Sequence, residues 1–86
     1  MNDPLAALRN RFLERTRVEL AVLRLAGEDP AAAAAAIHRL SGAAGVFGFH
    51  EVSRLAAVVD DQIHAGQAPE PSDLAALIEA VERLPG

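Results

Sequence analysis

The stretch Ala31–Phe49, AAAAAAIHRLSGAAGVFGF, decides the fold of this chain. Ala is the best helix former, and six in a row with no Gly or Pro among them predict an uninterrupted helix. At about 100° per residue, Ile37, Leu40, Ala44 and Phe47 fall on one stripe that must be buried. His38 lies off that stripe. Its neighbours one and two turns away are Ala31, Ala34, Ala35, Ser41, Gly42 and Gly45, none with a side chain larger than a hydroxymethyl group. The imidazole therefore stands above nearly bare backbone. Each Gly costs about 1 kcal/mol relative to Ala inside a helix, and a chain this rich in Ala could have avoided both glycines. One reading is close helix packing at the glycines beside a half-buried histidine. The other is an imidazole kept open to a bulky partner, and the small residues, lying away from the apolar stripe, favour it.

The rest of the chain supplies more helices of the same kind. Asp3-Pro4 pairs a capping carboxylate with a proline suited to a first helical position. Leu5, Leu8, Phe12, Thr16, Leu20 and Leu23 then recur at helical spacing, so a first helix is expected over about 4–26, closed by Gly27 as a left-handed terminator. Its remaining face, which includes Arg15, Arg17 and Glu19, is expected to be solvated. Asp29-Pro30 opens the second helix and Gly48 ends it, with Phe47 and Phe49 anchoring the corner. Val52, Leu55, Ala56, Val59 and Ile63 mark a third helix from Phe49 or His50 to Gly66. After a linker at 67–71, Ser72 is expected to cap a fourth, whose buried side is Leu74, Leu77, Ile78, Val81 and Leu84. Four amphipathic helices with short turns predict an all-α, antiparallel up-and-down four-helix bundle.

Eighty-six residues make one domain, spanning 1–86. All eight basic residues are Arg, the formal charge is −4, and no basic cluster interleaves with aromatics, so no nucleic-acid partner is expected. The chain has no cysteine, which excludes a thiol nucleophile or a cysteine metal site. The apolar run Ala31–Ile37 is far short of the roughly 20 residues that span a bilayer, and Met-Asn-Asp-Pro does not open a signal peptide. A soluble, cytoplasmic, monomeric domain with no membrane partner is expected.

The run His38-Arg39-Leu40-Ser41-Gly42-Ala43-Ala44-Gly45-Val46-Phe47-Gly48-Phe49 resembles the signature of histidine-phosphotransfer (HPt) domains, H-x-L-K-G-x-x-x-x-x-G. It matches in the His, the Leu two residues on, the Gly four on, the Gly ten on and the hydrophobic residue that follows. It departs at Ser41, where the family usually has Lys. The order of elements fits over nearly the whole chain. The resemblance implies a four-helix bundle that carries a phosphoryl group on His38 between phosphorelay proteins. The implied partners are a receiver domain of a response regulator and a hybrid or other sensor histidine kinase. The Mg²⁺ of the reaction would sit on the receiver, so the chain itself needs no cofactor and is a carrier without kinase activity. The competing reading is a degenerate HPt-like or adaptor bundle that binds a signalling partner without phosphotransfer.

A neutral imidazole is a nucleophile near neutral pH, because the free side chain has a pKa of about 6.5. Attack on phosphorus needs one ring nitrogen exposed and the other bonded to fix the tautomer. In HPt relatives the residue twenty-two positions after the phosphorylated His often makes that bond, and here it is Asp60. Helix 3 returns antiparallel beside helix 2 with Asp60 off its apolar stripe, which permits the contact; a solvated acidic pair with Asp61 is the alternative. Ser41 offers a hydroxyl but no positive charge. Arg39, about 100° round the helix from His38, is the expected substitute cation, with Arg54 behind it. Gly42, Gly45, Ala34 and Ala35 complete the expected docking face. His38, His50 and His64 with Asp60 are the metal-ligand types present, but spacings of twelve and fourteen match no compact helical ligand pair, and no metal is expected. The glycines lack both the preceding strand and the following Lys of a phosphate-binding loop, so nucleotide binding is not expected either.

Overall fold

The computed structural model describes residues 3–85 and contains four helices: α1 (Ala6–Arg24), α2 (Pro30–Val46), α3 (His50–His64) and α4 (Pro71–Glu82). They form an all-α, antiparallel up-and-down bundle in which α1 packs on α2, α2 on α3, α3 on α4 and α4 back on α1. The most extensive packing is between α2 and α3. Small residues make this possible: Ala33, Ala36 and Ala44 of α2 and Ala56 of α3 are buried between larger side chains. Leu23, Ile37, Leu40, Val59 and Leu77 fill the centre and are almost wholly excluded from water. Each contributes roughly 1.5–3 kcal/mol of hydrophobic stabilisation.

The ends of the helices follow local chemistry. Asp29 caps α2, its carboxylate accepting from the Ala32 N–H at 3.1 Å with Pro30 at the first position. Gly48 (φ 85°) reverses the chain: Phe49 N–H donates to Ala44 O at 2.9 Å and Gly48 N–H to Gly45 O at 3.2 Å. Gly66 (φ 79°) does the same after α3. The reversal at Gly48 sets the register of α3 against α2. Phe12 then locks that corner to α1, its ring 5.3 Å from Phe47 and 5.8 Å from Phe49.

Several sequence expectations are corrected. Helix α1 starts two residues late, because the Asp3 carboxylate folds onto the Leu5 N–H in a tight turn. Leu5 and Leu8 are about half exposed; Phe12 already packs at the corner, so the turns before it run past the bundle. Gly27 does not terminate α1 in the left-handed region, since the positive-φ glycines among the described residues are Gly48 and Gly66. Ser72 is not the cap of α4. Glu70 takes that place and accepts from the N–H groups of Ser72 and Asp73. Glu19 is not solvated: it is buried against α2.

Candidate phosphoacceptor site

His38 projects from the middle of α2 with 68% of its side chain exposed, and its Nδ1 lies 3.2 Å from Oδ2 of Asp60 on α3. A carboxylate oxygen only accepts, so this contact places the ring proton on Nδ1 and leaves the Nε2 lone pair free. Asp60 is the better-anchored partner, with its side chain only 13% exposed. It sits next to buried Val59 in a helix whose azimuth is fixed by Val52, Ala56 and Val59. The rigid packing of α3 on α2 therefore holds the acceptor that orients the imidazole.

The surroundings of His38 divide into open and closed parts. Gly42, one turn further on, is exposed, and a Cβ added there would meet no atom within 4 Å. Ala35, one turn back, is exposed as well. Val46, one turn beyond Gly42, is 70% exposed and extends this face with an apolar side chain that the sequence reading did not single out. Gly45 does not share the open space expected of it. A Cβ there would stand 3.2 Å from Ser53 Oγ, so Gly45 serves the close approach of α3. Ser53 uses that approach to donate to the Ser41 carbonyl at 2.9 Å. Ala34 is half-buried and lines an apolar groove of about 440 Å³ beside Ile63 and Pro69, at the edge of the His38 face.

The expected cation is also elsewhere. Arg39 turns towards α1, where its Nε donates to Glu19 Oε1 at 2.7 Å. This pair, joined more loosely by Arg15 at 3.7 Å, satisfies the buried carboxylate. Arg54 is bound to Glu51 through two donors, which holds the Glu51 carboxyl below its usual range. Ser41 Oγ donates to the His38 carbonyl at 2.7 Å, back along its own helix. Neither arginine thus pairs with the His38 side, and the position of the family's usual Lys holds a hydroxyl.

One residue at the site was set aside by the sequence reading. His64 follows Asp60 by four residues on α3, and its Nδ1 donates to the Asp60 carbonyl at 2.9 Å and lies 3.4 Å from Asp60 Oδ1. The two imidazoles are 5.7 Å apart, centroid to centroid. Counting His–His spacings along the chain hid this arrangement; the signal was the Asp60–His64 step of four on one helix face. The spacing argument against a compact donor set fails for that reason, while His50 remains outside the cluster.

The Hpt domain family model matches residues 7–85, almost the whole chain, and the chain belongs to this family. Comparison with curated proteins and with solved structures gave no match. Hpt domains are phosphocarrier modules of phosphorelays: they act in histidine phosphotransfer with receiver domains and kinases and are not kinases themselves. Among the described residues no helix is long and apolar enough to cross a membrane.

Proposed function

We propose that His38 is the phosphoacceptor of a phosphorelay carrier, exchanging its phosphoryl group with the aspartate of a response-regulator receiver domain. The observation that supports this most is the pairing of an exposed imidazole with a fixed carboxylate: Asp60 binds Nδ1 of a side chain that is otherwise mostly exposed, one turn from the open position of Gly42. In the forward step the Nε2 lone pair forms a bond to phosphorus and the acyl phosphate P–O bond breaks, returning the receiver's aspartate as a carboxylate. The proton stays on Nδ1, so the phosphorylated ring carries a positive charge beside the Asp60 carboxylate. Reversal makes the neutral imidazole the leaving group. Asp60 thus positions and stabilises, and the chain contributes a nucleophile and a docking face rather than a complete catalytic apparatus. Mg²⁺ belongs to the receiver. Partners of this kind imply a cytoplasmic protein, and a monomer leaves the His38 face free for them; a sensor kinase is the alternative donor.

The rival reading, a bundle that docks without transfer, draws on the missing cation: Ser41 replaces the usual Lys, and Arg39 is committed to Glu19. Incubation of the chain with a phosphorylated receiver and Mg²⁺ separates the two. Acid-labile, base-stable label that disappears in His38→Gln is the expected result. Docking without label supports the rival, and label that persists on His50 or His64 in that variant rejects His38 as the acceptor.

A further inference from the structure

We infer that His38, Asp60 and His64 form a three-donor site for a divalent first-row transition ion of the zinc type. One ligand atom from each lies within 4.8 Å of the others. Zinc bonds of about 2.0–2.1 Å to imidazole nitrogen and carboxylate oxygen put tetrahedral donors about 3.3 Å from one another. Each imidazole already approaches one oxygen of the shared carboxylate at about that length, His38 Nδ1 at 3.2 Å from Asp60 Oδ2 and His64 Nδ1 at 3.4 Å from Asp60 Oδ1. Small rotations of the two rings, both about two-thirds exposed, bring their nitrogens from within 4.8 Å to a common metal position beside a carboxylate that the packing of α3 holds still.

The donor set selects the ion. Two imidazoles and one carboxylate suit zinc, copper or nickel, whereas magnesium and calcium prefer oxygen throughout. Three protein ligands leave a position for water on the solvent side. On binding, each imidazole gives Nδ1 to the metal and keeps its single proton on Nε2. The His64 bond to the Asp60 carbonyl is exchanged for the metal bond. A His38 ring coordinated in this way has no Nε2 lone pair, so metal and phosphoryl transfer exclude each other. That consequence rests on the phosphotransfer reading; the site itself does not.

Titration of the whole chain with Zn²⁺ alone, followed by calorimetry with circular dichroism as a fold control, tests the site without any phosphodonor. One ion per chain is expected, with no comparable binding of Mg²⁺. Removing a ligand should cost at least as much as removing an outer-shell partner, about 10–100-fold in affinity, so His64→Gln and Asp60→Asn should weaken binding by that factor. His64→Cys, which restores a zinc ligand, should recover it. His50→Gln should change nothing, because position 50 precedes Asp60 by ten residues, about 15 Å along α3. Unchanged affinity in His64→Gln and Asp60→Asn, loss in His50→Gln, or no binding by wild type at millimolar Zn²⁺ would each overturn the inference.

Discussion

His38 and Arg39 are consecutive residues of α2, and each is paired with a carboxylate on a neighbouring helix. Their surroundings nevertheless differ in every respect that matters for chemistry. His38 leans on Asp60 of α3 and stays mostly exposed. Arg39 bends the other way and closes over Glu19 of α1, whose carboxylate is buried. One flank of α2 leaves a nucleophile reachable, and the other ties two helices together. The glycines repeat the contrast three residues apart, since Gly42 faces open space and Gly45 abuts Ser53. A step of 100° per residue, about a quarter-turn, thus separates residues available to a partner from residues spent on the fold.

The largest effect that would sharpen this contrast is at His38 itself. His38→Gln should abolish acid-labile labelling while leaving the thermal midpoint nearly unchanged, because the side chain is mostly exposed; labelling assay and melting curve on the same sample check it. Next comes the pair of glycines. Gly45→Leu should destabilise the bundle by about 1–3 kcal/mol through overpacking against α3, whereas Gly42→Leu should leave it as stable or more so, by up to about 1 kcal/mol. Gly42→Leu should instead block receiver docking. Denaturant unfolding beside a binding measurement distinguishes the two, and equal stability losses would erase the difference between the flanks.

A smaller change is expected on the α1 side. Glu19→Gln removes the charge that Arg39 answers, and since Arg39 is half exposed and can turn to water, the cost should be about 1 kcal/mol. Labelling of His38 should be unaffected by it or by Arg39→Ala. A loss of transfer in Arg39→Ala with stability intact would mean that Arg39 swings to the phosphoryl group. On the open side, Ser41→Lys should lengthen the phosphohistidine lifetime by about two- to fivefold, the size of an exposed ion pair worth up to about 1 kcal/mol. A shorter lifetime would show that the face is built around a small residue at 41.

The smallest effect lies outside both flanks. The Ser72 hydroxyl and the first N–H groups of α4 hold the Glu70 carboxyl below its usual 4.5. A carboxyl depressed by folding stabilises above its unfolded pKa and loses that contribution as pH falls through the lower folded value. Glu70→Gln should therefore lower stability slightly above about pH 4.5, where the carboxylate is charged, and have its smallest effect at the acid end, so that the acid side of a stability–pH profile is flatter than in wild type. Thermal midpoints across that range check it.

Much of the fold is legible in the sequence. Local signals act within a few residues, and where they were strong the elements followed: Asp29-Pro30 opened α2, Gly48 and Gly66 ended α2 and α3 with positive φ, and the stripe Val52–Ile63 turned inward. Where a cap was read from residue type alone, the reading was wrong. Ser72 was expected to cap α4, and the structure puts Glu70 there, with Pro71 at the first helical position. Leu5 and Leu8 have the right spacing for a core, but spacing carries no information on where the neighbouring helices stop.

The sequence by itself determined four amphipathic helices, their order, and a histidine among small residues in a run resembling a known signature, because helical periodicity, caps and turns are properties of neighbouring residues. Only the tertiary structure decided what that histidine touches. Whether Asp60 reaches His38, whether His64 joins it, whether Arg39 serves the site or the fold, and which glycine stays open all depend on how α2 is rotated against α1 and α3. That rotation is set by the interlocking of Ile37, Leu40, Ala44, Ala56 and Val59 in the shared core. It comes from contacts between residues distant along the chain, and no short window of sequence contains it.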